Sequence, residues 1–174
     1  MGHDVTAVGE FLTAITVRLA VGFYVIRFVA ELAFGDQTAV ANQRVPRWLF
    51  SVGLLFYLIH VACAFHFYHD WSHSDAYLHT ANVTLKTVGW ESGVGLYFNY
   101  LYSLMWFGDV AVWWLRPDWR SRGVRWSLQA IHFFMIINAT VVFGPDFWKP
   151  VAAMIFAGLF CIWLIIQLTS VSKE

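Results

Sequence analysis

The chain has 174 residues, of which 59% are hydrophobic and 13% charged, and its mean hydropathy is +0.59. This balance excludes an ordinary soluble domain, in which about 25% of residues are charged. The 11 basic and 11 acidic residues cancel, so the chain has neither a basic excess for nucleic acid nor an acidic tail. Composition therefore predicts an integral membrane protein with the lipid bilayer as its main partner.

Apolar stretches long enough to cross a bilayer, about 20 residues in a helix, occur five times between charged, proline or glycine residues. They predict an all-α, single-domain bundle of five transmembrane helices at about 11–34, 48–69, 93–115, 126–143 and 150–169. Pro145 and Pro150 separate the last two spans, because proline breaks a helix. The first span is expected to remain in the mature protein, since Arg18 and Arg27 interrupt it and no Lys or Arg precedes it.

Positive charge is divided unevenly between alternate connections. Seven Lys and Arg residues lie in the segments 35–47 and 116–125 and in the C-terminal tail, whereas Lys86 and Lys149 lie on the other side. The positive-inside rule then predicts an external N-terminus and a cytoplasmic C-terminus. The histidine-rich connection 69–92 is expected to lie outside and to fold over the mouth of the bundle.

The densest chemical signal is a histidine cluster at the end of the second span. Its four candidate metal ligands are His66, His69, His73 and His79. If the helix continues past the membrane surface, the first three share one face, but the ends of that row are about 10 Å apart and cannot easily share an ion. Imidazole suits Zn, Cu or Fe. The cluster predicts either metal or haem ligation, or a hydrogen-bonded, pH-sensitive interfacial group in which Asp70 and Asp75 orient the rings.

Polar side chains inside the predicted spans form a second candidate site. The helical rise puts Arg27, Asp109 and His132 at one depth, on the order of 10 Å from the cytoplasmic edge. Because charges inside a bilayer usually pair, an Arg27–Asp109 ion pair is expected, either as a structural fastener or as a proton-handling or substrate-binding group. The remaining members of this intramembrane polar network are Arg18, Asn99 and Asn138.

His60 is the remaining histidine in the second span. Its ring is expected to bond Asn138 or a backbone carbonyl. An alternative function is ligation of haem b by His60 together with His132, although the two lie at different depths.

One face of the third predicted span carries polar and aromatic residues at spacings of three and four. These residues are Asn99, Tyr102, Trp106, Asp109 and Trp113, and Gly95 extends the row outward. Such a stripe faces the interior of a bundle. It serves either interhelical packing or the wall of a cofactor or quinone pocket.

Other sequence signals narrow the chemistry. Cys63 and Cys161 lie in apolar runs and are expected to be buried thiols rather than a redox pair. HExxH, CxxCH, GxSxG, P-loop and dinucleotide-binding motifs do not occur. The sequence therefore leaves open whether the protein is an enzyme.

Three runs carry a family resemblance: HVACAFHFYHDWSH at 60–73, GVGLYFNY at 93–100 and DVAVWW at 109–114. Together they resemble an uncharacterised family of short polytopic bacterial membrane proteins, which has a His-rich segment after the second span and no assigned activity. The likeness covers spans two to four. It implies a bacterial cytoplasmic membrane and a single constellation made of His66, His69, His73, Asn99 and Asp109.

Three functions remain open at this point. The first is a metal- or haem-binding redox component that uses the clustered histidines. The second is a non-catalytic subunit that assembles with another membrane protein or with itself. The third is a small proton-linked carrier that uses Arg18, Arg27 and Asp109. We favour the first, because it alone requires histidines to be clustered.

Overall fold

A computed structural model describes residues 6–34 and 44–171. Every regular element in these two ranges is helical, which confirms the all-α prediction. The helices are α1 (Ala7–Phe34), α2 (Arg44–Tyr68), α3 (His73–Val88), α4 (Gly95–Leu115), α5 (Arg122–Ile137) and α6 (Lys149–Val171), with a 3-10 turn at Pro117–Trp119 and a π-helical segment at Asn138–Val142.

A helix occupies each of the five predicted spans, and α3 fills the connection between the second and the third. Among the described helices, Ala7–Glu31 and Arg44–Tyr68 are long and apolar enough to cross a membrane, whereas Lys149–Ile162 is apolar but shorter. Length and composition alone mark these two helices as candidate spans, and the five-span bundle stays a prediction.

The chain reverses direction where α2 ends. Asp70 and Trp71 have φ angles of 45° and 61°, which is the left-handed conformation that residues with a Cβ rarely adopt. The Trp71 amide donates to the Phe65 carbonyl at 3.0 Å and closes the turn. A right-handed helix cannot pass through two such residues. The continuous helix that would stack the histidines of 66–73 on one face is therefore wrong.

α3 begins directly after this turn and lies against α4. The Ser72 hydroxyl caps α3 by accepting from the Asp75 amide at 3.2 Å, and Gly89 ends it with a φ of 78°. Gly93 permits the close approach to α4, because a Cβ there would come within 2.7 Å of the Tyr77 ring. The connection between the second and third predicted spans therefore contains a helix that packs on α4.

α5 widens into the π-helical segment before the chain turns toward α6. The Asn138 amide donates to the Phe134 carbonyl at 2.8 Å, and the Thr140 hydroxyl donates to the Ile136 carbonyl at 2.7 Å. Such side-chain bonds compete with the backbone ladder and bend helices. A Cβ at Gly144 would overlap the Thr140 carbonyl, so only glycine fits this turn. The break predicted between the last two spans is confirmed.

The core lies where α1, α2, α4 and α5 meet. α1 packs along α2, α2 packs on α4, and α6 contacts α1 and the π-helical segment. The buried core residues are Tyr24, Phe50, Leu54, Tyr102, Trp106, Trp113 and Ile136. Cys63 and Cys161 are free thiols, as expected, but Cys161 is exposed rather than buried, because α6 contributes little to this core.

Candidate functional site

A cavity of about 810 Å³ lies between α1, α2, α3, α4 and the end of α5. On α3 its wall includes His79 and a row of Ala76, Thr80 and Thr84, whose positions are one helical turn apart. On α4 the wall runs from Gly95 to Trp106, a rise of about 16 Å. The cavity therefore extends from the end of the bundle that α3 covers down to the aromatic core.

The wall is mostly apolar and aromatic, with few polar groups. His69 and His79 lie at the end beside α3. The polar groups of the other helices include His60, Asn99, Ser103 and Asn138. A largely apolar wall with a few convergent polar groups is typical of small-molecule sites. Trp106 lies at the inner end, and its buried indole nitrogen has no hydrogen-bond partner among the residues that the structure describes.

His69 and His79 are neighbours across the α2–α3 turn. Nδ1 of His69 lies 2.8 Å from a carboxylate oxygen of Asp75, and the two imidazole rings are 5.1 Å apart. In neutral His69 the proton therefore sits on Nδ1, because a carboxylate only accepts, and Nε2 keeps its lone pair. Partial burial, together with the nearby His69, lowers the pKa of His79 below its ordinary value.

His66 and His73 face other partners. Nδ1 of His73 lies 3.0 Å from the Tyr100 hydroxyl, and the His66 ring packs against Phe67 and Trp71. The predicted four-histidine metal set is therefore not assembled, because the reversal after α2 brings only the other two rings together. Within 6–34 and 44–171, no three His, Cys, Asp or Glu residues are arranged to hold a metal ion.

His60 and His132 do not form the predicted haem pair. Nδ1 of His60 lies 2.9 Å from the Thr13 carbonyl oxygen, which is the backbone alternative expected from the sequence. His132 is 1% exposed, lies 2.8 Å from the Tyr102 hydroxyl through Nδ1, and packs against several aromatic rings, among them Trp106. Aromatic rings therefore occupy the space around His132, where the predicted haem would have to bind.

The charged residues of the bundle are paired differently from the prediction. Arg120 donates to both carboxylate oxygens of Asp109, at 2.7 and 3.2 Å. Arg27 donates to Gln129 at 2.8 Å and to Glu31 at 2.7 Å. The expected Arg27–Asp109 pair is therefore wrong. The turn after α4 carries Arg120 back over its own helix, and Glu31 lies one turn below Arg27.

Trp113 is the centre of this charged region. Three guanidinium groups lie over its ring, at 4.0 Å for Arg120, 5.4 Å for Arg27 and 5.9 Å for Arg47. Such cation–π contacts stabilise desolvated arginines. Arg18 lies apart from them, exposed and 5.3 Å from the Trp148 ring. The predicted intramembrane network thus divides, because Asn99 and Asn138 line the cavity instead.

The α4 stripe faces inward as predicted. Tyr102, Trp106, Asp109 and Trp113 are all buried. Asn99 is more exposed, because it lies where the stripe opens into the cavity. The stripe therefore packs in the core at its inner end and lines the cavity at its outer end. Its role as the wall of a cofactor or quinone pocket stays a prediction.

Sequence reasoning missed several partners of these residues. Gln129 bonds both Arg27 and the Tyr24 hydroxyl. Its position three residues before His132, on the same face of α5, was an available signal. In the sequence, Arg120 served only as one of the positive charges that predict orientation. Its spacing from Asp109 does not reveal the turn that brings the two side chains together.

No protein-family model, curated protein or solved structure matches the chain. The constellation implied by the family resemblance is also divided. His69 and Asn99 line the cavity, whereas Asp109 belongs to the charged region at the other end of α4. Function must therefore be derived from the cavity and its own residues.

Proposed function

We propose that this protein is a multi-pass membrane protein that binds a lipid-soluble amphiphile in the cavity. The observation that carries the proposal is the cavity itself, with a volume of about 810 Å³ and an apolar wall reaching the core. An amphiphile would place its polar head beside His69 and His79 and its apolar chain along the wall toward Trp106. The polar head would then contact polar side chains, and the apolar chain would contact apolar side chains.

The distribution of polar and apolar side chains supports a membrane location. Asp109 on α4 is 6% exposed, whereas Leu101, Leu104 and Phe107 on the same helix are 62%, 71% and 59% exposed. Soluble proteins rarely expose large contiguous apolar surfaces. Ionisable side chains within a bilayer face the interior of the bundle, and this pattern matches α4.

Tryptophans mark both ends of the bundle. Trp71 and Trp90 flank α3 and are 64% and 73% exposed, while Trp48 and Trp119 lie near the opposite end and are 61% and 64% exposed. Tryptophan is enriched at membrane–water interfaces. The charge distribution along the sequence supports an external α3 and a cytoplasmic C-terminus, and the family resemblance supports the bacterial cytoplasmic membrane.

The amphiphile is either a membrane lipid or an isoprenoid quinone, since both combine an apolar chain with a polar head. Tyr57 and Trp106 both line the cavity, and their rings are 5.4 Å apart and nearly parallel. This aromatic pair would pack equally well against an isoprenoid or an acyl chain. Mass identification of the bound molecule distinguishes the two classes.

The test uses two alanines of α2. Ala64 lines the cavity, whereas Ala62 is exposed on the same helix. We expect purified wild-type protein and Ala62→Phe to retain a defined amphiphile after detergent exchange, and Ala64→Phe to retain several-fold less, because the ring fills the binding space. Organic extraction followed by mass spectrometry measures the bound amount. Equal retention by all three proteins, or no retention above the general lipid background, would contradict the proposal.

A further inference from the structure

We infer that His69 and His79 form an open site for one divalent transition-metal ion at the outer end of the cavity, with Asp75 orienting the first of them. The inference does not rest on amphiphile binding. It replaces the predicted four-histidine set by the two histidines that the fold brings together.

The hydrogen bond of His69 prepares that residue for metal binding. Its Nδ1 lies 2.8 Å from the Asp75 carboxylate, so the lone pair of neutral His69 is on Nε2. Histidine ligands of metals typically use this arrangement, in which a carboxylate fixes the tautomer and the orientation of the ring. The side chain of His69 is 11% exposed, so its position is held by its surroundings.

The separation of the two rings fits a shared ion. With a metal–nitrogen distance of about 2.0–2.1 Å and tetrahedral geometry, the centres of two bound imidazoles lie about 5 Å apart. The observed distance between the ring centres of His69 and His79 is 5.1 Å. The separation of the two rings is therefore compatible with a shared ion.

The remaining coordination positions would face the cavity. Both histidines contribute to its wall, and the described residues provide no third ligand to close the site. Water or an oxygen of a bound molecule would complete the coordination, as in metal sites that keep an open position. Imidazole ligands favour Zn, Cu, Fe or Ni over Mg or Ca.

The local backbone brings the two ligands together. They lie ten positions apart in the sequence, one at the end of α2 and the other on the second turn of α3. The left-handed residues Asp70 and Trp71 reverse the chain between them, and the Ser72 cap fixes the start of α3.

The experiment titrates Co²⁺ and Zn²⁺ into chelator-treated, full-length protein that carries no polyhistidine tag. Visible absorption reports Co²⁺ binding, and competition reports Zn²⁺ affinity. We expect one ion per chain, a loss of affinity of at least about 10-fold in His69→Ala and in His79→Gln, and a loss of about 10–100-fold in Asp75→Asn. His73→Ala is the matched control and should bind like the wild type, because its ring contacts Tyr100 instead.

Circular dichroism and gel filtration verify that each variant is folded, and His79→Gln keeps a polar side chain if the alanine variant of its partner fails to fold. Wild-type affinity in both His69→Ala and His79→Gln would overturn the inference. The absence of saturable binding in the wild type would overturn it as well. Amphiphile retention is measured separately, so failure of this site is distinguishable from failure of the proposed function.

Discussion

Asp109 and Arg120 form a buried, bidentate ion pair. They are 6% and 9% exposed, and the guanidinium group binds both carboxylate oxygens. Bidentate geometry offsets the cost of desolvating two charges, but removing one partner leaves the other charge buried and unpaired. The intact pair therefore contributes little net stability, whereas the loss of one partner is strongly destabilising.

Asp109→Asn and Arg120→Gln should each lower the free energy of unfolding by about 3–5 kcal/mol. Reversible unfolding in detergent measures the loss. In double-mutant cycles, the coupling of Asp109 to Arg120 should exceed its coupling to Arg27, which bonds other residues. Lys149→Ala is the control, because its ion pair with Asp146 is exposed and should change stability little. Equal coupling of Asp109 to both arginines would contradict the observed pairing.

Tyr102 supports His132 through the only hydrogen bond that this ring makes among the described residues, at 2.8 Å. Tyr102→Phe should destabilise the protein by about 1–3 kcal/mol, because it leaves a buried nitrogen unsatisfied. Tyr97→Phe is a matched control, since Tyr97 is 51% exposed. Chemical unfolding measures both variants, and equal stability of the two would show that the buried bond contributes nothing.

At the residue scale, the sequence predicted burial better than it predicted partners. Spacings of three and four on α4 correctly indicated that Tyr102, Trp106 and Asp109 face inward, because residues at these spacings lie on the same face of a helix. Depth alone suggested that Arg27 would pair with Asp109. That inference failed because Arg120 reaches the carboxylate through a turn whose path no periodicity describes.

At the scale of elements, the cavity depends on where α3 lies. It covers one end of the bundle and supplies part of the cavity wall, including His79. Its position depends on the chain reversal at Asp70 and Trp71 and on its close approach to α4. Neither feature follows from hydropathy, because the left-handed residues are not glycines and their conformation depends on tertiary packing.

Gly93→Ala should loosen α3, because the new Cβ would meet the Tyr77 ring at 2.7 Å. Amide hydrogen exchange should become faster across α3 while the exchange of α4 changes little. Gly108→Ala provides the control, since a Cβ at that helical glycine meets no neighbour. Combining Gly93→Ala with Tyr77→Ala should partly restore protection. Unchanged exchange in the single Gly93 variant would show that this contact does not hold α3.

At the scale of the whole molecule, the helices were predictable but the cavity was not. Apolar stretches located five of the six α-helices in the described residues, all except α3, because hydropathy records which segments are apolar enough to avoid water. The cavity is formed by five separate segments whose mutual packing depends on the α2–α3 turn and on the π-helical widening at Asn138–Val142. Sequence periodicity contains no information about that packing.

The proposed topology predicts opposite accessibility for the two ends of the bundle. In a background with Cys63→Ser and Cys161→Ser, Lys86→Cys should react with a membrane-impermeant maleimide in intact cells. Ser121→Cys should react only after the membrane is permeabilised, because it lies in the positively charged connection. The reverse labelling pattern would invert the orientation, and equal labelling of both sites in intact cells would contradict a membrane-spanning bundle.

Native mass spectrometry of the intact protein, released from lipid nanodiscs, tests whether the cavity holds an amphiphile. The wild type and the control Ala62→Phe, in which the substituted side chain is exposed, should each carry one adduct of defined mass per chain. Ala64→Phe should lose that adduct while remaining folded, because its added ring occupies the cavity. An adduct of the same mass and abundance in all three proteins, or bare protein in the wild type, would contradict the claim.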